Sequence, residues 1–153
     1  MVTTKIKSGI SVKSAAFSQG GQIPKKYSCE GENINPPLEI SGFPPDTRSL
    51  TIILEDPDAI KGIFYHWIAW NIPPDEFIPE NSAPGTTGRN SGGEQKYMGP
   101  CPPTGSHRYH FRVFALDAPL DLPAGSDIKG LEEAMHGHQL STGEIMAHYR
   151  KGG

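Results

Sequence analysis

The sequence has 153 residues, enough for one domain with a single apolar core. Its 18 Gly and 15 Pro residues predict many turns and short strands, and therefore a mostly β fold. A formal net charge of −3 argues against a nucleic-acid partner, and no apolar stretch reaches the length of about 18 residues that a transmembrane segment needs.

The first half of the chain alternates apolar segments with turn residues. Apolar residues within 10–17 indicate a first strand, which a Gly-Gly pair ends. Two Pro-Pro pairs leave only Leu38–Ser41 between them for a short strand. Leu50–Glu55 is almost continuously apolar and β-branched, which predicts a central strand buried on both faces and ended by Pro57.

The segment His66–Ile72 alternates with a period of two, which predicts another strand. Strict alternation would place four residues on one face: His66, Ile68, Trp70 and Ile72. The opposite face would carry Trp67, Ala69 and Asn71. Residues Asp75–Lys96 show little periodicity and many glycines, which predicts a long irregular loop of the kind that is often functional or disordered.

Prolines and glycines in Gly99–Pro103 predict a rigid loop that leads into a strand over Tyr109–Leu116. Near the end, Ser126 or Asp127 is expected to cap a short helix over Ile128–His136. A final strand is predicted over Glu144–Arg150. Without repeats or linkers, residues 1–153 are interpreted as one domain, and a start without a leader-like apolar run predicts a cytoplasmic location.

The two cysteines, Cys29 and Cys101, do not have the CxxC spacing of a metal site. Because thiols stay reduced in the cytosol, we expect both to be free, with a disulfide as the alternative.

Polar side chains stand at the ends of the predicted strands: Asp56, Asp58, His66, His107 and Tyr109. Since strand ends cluster in a small β-sandwich or barrel, these groups could meet at one cavity. Each also has a simpler explanation, because Asp is common in turns, a buried His often bonds only the backbone, and Tyr often packs its ring. We expect Arg108 to point away from this cavity and to pair with Asp58.

Three motifs are specific in combination: DPDAI from Asp56, YHWIAWNIPP from Tyr65 and GPCPPTGSHRYHFRVFALD from Gly99. Together they resemble the phosphatidylethanolamine-binding protein family, also called Raf kinase inhibitor-like proteins. The segment CEGENINPPLEISGFP is similar to that family as well. Three further segments resemble its bacterial and archaeal branch: GRNSGGEQKYMGPCPP, AMHGHQL and EIMAHYRK.

This resemblance implies an antiparallel β-sandwich with one or two short helices, and a pocket for anionic groups such as phosphate or a phosphorylated head group. The pocket residues that match are Asp56, His66, His107 and Tyr109, with Gly99, Pro100 and Pro102 in the adjoining loop. Asp58, Arg108 and Cys101 are expected to support the site. We expect Asp56 to orient His107 or His66, since a carboxylate suits that role better than contact with an anion.

Members of the family are known as binding or inhibitory proteins, so we interpret the chain as a non-enzymatic protein that needs no cofactor. It would bind a small anion and could thereby regulate a partner enzyme. One alternative is a protease or kinase inhibitor that acts through its surface, in particular Asp75–Lys96. A second is a hydrolase in which Asp56, His66 and His107 hold a metal or act as acid and base. The prokaryotic branch also implies a homodimer, with Trp67 as one candidate contact.

Two features depart from the family pattern. Ile60 stands where the motif usually has a second Pro, which predicts a less rigid loop after Asp58. The chain ends at Gly153, without the C-terminal helical segment of eukaryotic members, so the kinase and membrane roles of those members are not carried over.

Overall fold

The computed structural model describes residues 7–153, so the first six residues of the predicted domain lie outside the described part. Eight strands, one α-helix and a single 3-10 turn follow one another along these residues. Their bounds are β1 Ser11–Lys13, the 3-10 turn Lys25–Tyr27, β2 Leu38–Ser41, β3 Ser49–Asp56, β4 Phe64–Ile72, β5 Phe77–Ile78, β6 Thr86–Thr87, β7 Ser106–Leu116, α1 Ile128–Met135 and β8 Gln139–Arg150.

The strands form two sheets in which every neighbouring pair is antiparallel. The smaller sheet has the order β1-β2-β5 and the larger has the order β6-β4-β3-β7-β8. The predicted antiparallel, mostly β architecture is therefore confirmed. No helix within residues 7–153 is long and apolar enough to cross a membrane.

Strand β3 lies at the centre of the larger sheet, and all eight of its residues are buried. Ile52 and Leu54 belong to the core that both sheets share, whereas Ile53 belongs to a second apolar cluster on the opposite face beneath α1. The prediction of a central strand buried on both faces is confirmed. Trp67 is also buried in the shared core, so its assignment as a contact with a second copy is wrong.

Strand β4 contains two bulges that strict alternation does not anticipate. Leu50 pairs with Ile72 and Ile52 with Ala69, so β4 has one extra residue in this stretch. Asn71 has a φ of 54°, a left-handed conformation that Asn tolerates better than most residues. The extra residue turns Ile72 onto the face of Ala69 in the shared core, and the predicted face of Ile72 is wrong for this reason.

Several predicted element bounds are corrected. The first strand shrinks to β1, because the Ser14 hydroxyl accepts a hydrogen bond from the Ala16 amide and ends the extended segment. The predicted irregular loop at 75–96 contains β5 and β6, which pair with β2 and β4. The final strand starts earlier than predicted, at Gln139, and crosses Gly143, where a Cβ atom would lie 2.0 Å from the Ile10 carbonyl oxygen.

Cys29 and Cys101 form a disulfide, so the prediction of two free thiols is wrong. The two segments already lie side by side, because the Cys29 amide donates to the Pro100 carbonyl. The Gly99 amide also donates to the Asn33 side-chain oxygen, at 2.7 Å. These bonds bring the cysteine Cα atoms to 5.5 Å, a normal distance for a disulfide.

The disulfide closes a loop across a sequence separation of 72 residues. Removing it as Cys29→Ser/Cys101→Ser should lower the free energy of unfolding by up to about 4 kcal/mol, because the unfolded chain regains the entropy that loop closure removes. Urea denaturation measures this loss, and wild type kept in dithiothreitol should match the variant. Equal stabilities of oxidised wild type and variant would contradict the prediction.

Candidate functional site

A cavity of about 680 Å³ opens where β3 ends, β4 begins and β7 begins. Its polar lining includes the four pocket residues that the family resemblance implies, Asp56, His66, His107 and Tyr109, together with Lys61 and Ser91. The chain reversal between β3 and β4 and the loop before β7 supply the remaining walls. Those walls include Ile60, Ile63, Phe64, Met98, Cys101, Pro102 and Pro103.

Asp56 is the last residue of β3, and both of its carboxylate oxygens are bonded within the protein. Oδ1 accepts the Asp58 amide at 2.8 Å, which closes a local turn after the strand. Oδ2 lies 2.7 Å from His107 Nδ1. Because a carboxylate oxygen can only accept, Nδ1 carries the proton, and Nε2 is left to face a ligand. The predicted contact between Asp56 and one of the two histidines is thus present, to His107.

His66 reaches the cavity because of the second bulge in β4. Leu54 pairs with Trp67 and Glu55 with Tyr65, so His66 is the extra residue. His66 and Trp67 consequently share one side of the sheet, with the imidazole in the cavity lining and the indole in the core.

The His66 ring is held in one orientation. Its Nδ1 donates to the Met98 carbonyl at 2.9 Å, so in the neutral ring Nε2 is an acceptor. Burial lowers the pKa of His66 below its ordinary value, and His66 is therefore neutral at pH 7.

Tyr109 lies on the cavity floor between the two imidazoles, with ring centroids 5.4 Å from His66 and 6.4 Å from His107. Its side chain is fully buried, and its hydroxyl has no hydrogen-bond partner among residues 7–153. The Cys101 amide and the Asp56 carboxylate affect the pKa of this hydroxyl, but neither forms a hydrogen bond of normal geometry with it. Burial, followed by the Asp56 charge, raises the pKa of the Tyr109 hydroxyl, which stays protonated and able to donate.

Asp58 and Arg108 form the predicted ion pair outside the cavity lining. The Asp58 carboxylate accepts from the Arg108 amide at 2.8 Å, from Nε at 3.0 Å and from the terminal guanidinium nitrogen at 2.7 Å. The side-chain bonds from Arg108 lower the pKa of Asp58 to about 2. The pair connects the turn after β3 to the start of β7 and so supports the residues on either side of it, Asp56 and His107.

The loop Gly99–Pro103 divides into two parts. Cys101 and Pro102 line the cavity, whereas Gly99 and Pro100 lie behind it and hold the loop against the segment 27–33. A Cβ atom on Gly99 would lie 2.1 Å from the Tyr27 carbonyl oxygen, so this close approach requires glycine. Direct ligand contacts by Gly99 and Pro100 remain a prediction.

The sequence predictions missed the apolar wall of the cavity. Sequence patterns relate Ile60 only to the rigidity of the loop after Asp58, and they do not single out Ile63, Phe64 or Met98. An apolar residue near a turn does not by itself indicate a cavity wall, because the packing around the residue decides whether it is exposed.

The chemistry available is that of one buried carboxylate–imidazole pair, one neutral imidazole and one phenol. These groups can bind polar atoms or exchange protons with them. Within the described part of the chain, no group of three or more His, Cys, Asp or Glu side chains is arranged to hold a metal ion. His136 and His138 lie outside the cavity lining, at the end of α1. The Nδ1 atom of His138 is 2.8 Å from the Oδ1 atom of Asp117.

The chain is similar to proteins of one known family. A family model described as phosphatidylethanolamine-binding protein matches residues 13–150. A UPF0098 protein of Methanothermobacter thermautotrophicus is 42% identical over 151 residues, which cover 94% of this chain and 100% of that protein.

Two crystal structures are also similar. One, described as a phosphatidylethanolamine-binding protein homolog from Chlamydia trachomatis, has a TM-score of 0.90 and 41% identity, covering 95% of this chain and 99% of the other. The other, E. coli YbcL, is described as a member of the mammalian PEBP family and has a TM-score of 0.86 and 28% identity, covering 94% and 99%.

Burial of His66 should make stability depend on pH. Because the folded state lowers the pKa of His66, the unfolded state binds the proton more tightly, and the free energy of unfolding should fall as pH drops below about 6.5. The fall in the free energy of unfolding levels off once the pH is below the pKa of His66 in the folded state. The slope of this fall is at most about 1.4 kcal/mol per pH unit. His66→Asn, which can still donate to Met98, should reduce the fall.

Urea denaturation between pH 8 and pH 5 measures this effect. The exposed His136→Asn is the matched control and should follow the wild-type curve. Identical pH dependence in wild type and His66→Asn would contradict the prediction.

Proposed function

Because the chain belongs to the phosphatidylethanolamine-binding protein family, we propose that the cavity at the ends of β3, β4 and β7 binds a small anionic group, such as a phosphate ester, without catalysing a reaction. The observation that carries the proposal is the buried hydroxyl of Tyr109, a residue of the cavity lining, which lacks a hydrogen-bond partner among the described residues. A buried polar group without a partner is costly, and a ligand oxygen would satisfy it.

The presence of Asp56 in the lining does not conflict with an anionic ligand. Both carboxylate oxygens already accept hydrogen bonds, from the Asp58 amide and from His107. A ligand would therefore meet the imidazole of His107 and not the carboxylate. When both ring nitrogens of His107 carry a proton, Nε2–H can donate to a ligand oxygen while Nδ1–H donates to Asp56.

The two imidazoles would recognise different ligand atoms. His107 in its charged form and Tyr109 donate to ligand oxygens, and the Lys61 ammonium in the lining adds positive charge. Neutral His66 offers an acceptor at Nε2, because its Nδ1 proton is committed to Met98. This combination of donors with one acceptor suits an oxyanion that still carries one proton, such as a phosphate monoester monoanion.

The loop that closes the cavity is held in place before a ligand arrives. The disulfide from Cys101 to Cys29 and the bond from the Gly99 amide to Asn33 both connect it to the same segment. Less ordering is then needed on binding, and less affinity is lost to it.

Thermal unfolding with phosphate, phosphoethanolamine and acetate tests the proposal. A ligand at 100 times its Kd should add about 2.7 kcal/mol to the stability of the wild type. His107→Ala should abolish this gain, whereas His110→Ala, on the opposite face of β7, should keep it. Absence of any shift with all three ligands in the wild type, or release of inorganic phosphate from phosphoethanolamine, would contradict a non-catalytic anion site.

A second candidate function is inhibition of a partner enzyme, a protease or a kinase, through the surface. The observation that favours it is the exposed segment Pro103–Ser106, which follows the disulfide directly and is stiffened by proline. The sequence prediction assigned this role to Asp75–Lys96 instead. A homodimer and a cytoplasmic location also remain predictions.

The two candidate surfaces can be separated by variants. If the loop before β7 contacts the partner enzyme, Pro103→Gly/Thr104→Gly should weaken inhibition of a panel of serine proteases and protein kinases at least tenfold. Shortening Asp75–Lys96 should then have little effect. Inhibition that survives the glycine substitutions but is lost on shortening would reverse the assignment, and no inhibition by wild type would reject this candidate.

A further inference from the structure

The disulfide between Cys29 and Cys101 lies at the edge of the cavity and at the surface of the protein. Cys101 lines the cavity, whereas Cys29 belongs to the neighbouring segment 27–33. Both cysteines are exposed, although the residues that precede them, Ser28 and Pro100, are buried. A thiol in solution can therefore reach this disulfide in the folded protein. Exposed disulfides are commonly the labile or regulatory ones, whereas buried structural disulfides resist reduction.

Residues 101–105 are connected to the rest of the protein mainly by this disulfide. The preceding residue, Pro100, is held by its carbonyl, which accepts the Cys29 amide at 3.1 Å, and β7 begins at Ser106. Within the described part of the chain, no hydrogen bond involves residues 101–105 themselves. Two of these residues are prolines, which have no amide proton to donate. Apart from the packing of the buried Pro102, the disulfide is what holds this segment in place.

The other end of the disulfide is anchored by a separate group of hydrogen bonds. The Ser28 hydroxyl oxygen lies 2.9 Å from the Tyr149 hydroxyl and accepts the Glu30 amide at 3.1 Å. The Tyr149 hydroxyl in turn donates to the Glu30 carboxylate at 2.6 Å. Cys29 lies between Ser28 and Glu30, so these bonds keep it in position when the disulfide is broken. Reduction would consequently release the segment that contains Cys101 and leave the segment of Cys29 in place.

We propose that the disulfide is a redox-controlled link that keeps residues 101–105 in the cavity wall, and that reduction by a dithiol frees them. A thiolate of the dithiol attacks one sulfur, forms a mixed disulfide and displaces the other cysteine, which takes up a proton. The second thiol of the reagent then displaces the first cysteine in the same way. The protein disulfide gains two electrons and two protons, and the dithiol is oxidised to a disulfide.

Release of this segment alters one wall of the cavity and leaves its floor unchanged. Cys101, Pro102 and Pro103 belong to the wall. The floor groups lie on strands of the larger sheet and are Asp56, His66, His107 and Tyr109. In the reduced protein a ligand would have to order the wall again, which costs affinity. This effect on binding rests on the anion site proposed above, whereas the release of the segment does not.

Nitrogen-15 NMR relaxation tests the release without any ligand. The order parameters of the Cys101, Thr104 and Gly105 amides should be about 0.8 in the oxidised protein and should fall below about 0.6 in dithiothreitol. The Ile53 amide in the central strand should not change. Cys29→Ser/Cys101→Ser should give the reduced values with or without dithiothreitol. Unchanged values for the segment after reduction, or a simultaneous fall for Ile53 that reports global unfolding, would overturn the inference.

Isothermal titration calorimetry with phosphoethanolamine tests the effect on the cavity. The Kd of the wild type should rise at least about fivefold on reduction, and reoxidation with diamide should restore it. The Kd of Cys29→Ser/Cys101→Ser should match that of the reduced wild type and should not respond to dithiothreitol. Equal Kd values for the oxidised and reduced wild type would overturn redox control of binding. Absence of binding in both states would reject the anion site, while the order parameters decide the release by themselves.

Discussion

The candidate site depends on how the Asp56 carboxylate is bonded at the end of β3. One oxygen accepts the Asp58 amide and the other accepts His107 Nδ1. A buried carboxylate without such partners would be unfavourable. The two hydrogen bonds satisfy the Asp56 carboxylate, and they also determine the turn after the strand and the tautomer of His107. The cavity consequently contains an acidic residue and still presents the other imidazole nitrogen to a ligand.

The other floor groups are positioned by different elements of the larger sheet. His66 reaches the cavity through a bulge in β4, and Tyr109 reaches it from the regular part of β7. The facing loop is connected by the disulfide of Cys101 to a segment far away in the sequence. Because β4, β3 and β7 are neighbouring strands of one sheet, the relative positions of the groups that they carry do not depend on a ligand.

The cavity combines this rigid polar floor with an apolar mouth. Ile60 and Ile63 are exposed beside groups that suit an oxyanion, and only the short turn between β3 and β4 separates Asp56 from them in sequence. Charged and apolar groups therefore lie side by side at the rim of one cavity.

Elements that depend only on neighbouring residues can be predicted from the sequence pattern. The buried run Leu50–Glu55, the short strand Leu38–Ser41 and a short helix capped by Ser126 or Asp127 follow from local pattern and proline placement. The structure contains all three, with Asp127 as the cap. The motifs also identified the family, and with it the four residues that meet at the floor. Tertiary structure alone decided the face of Ile72, the pairing of Cys29 with Cys101 and the exposure of Ile60. A bulge, a disulfide between distant residues and an uncovered side chain each depend on which segments lie next to each other in space, and no periodicity along the chain records that.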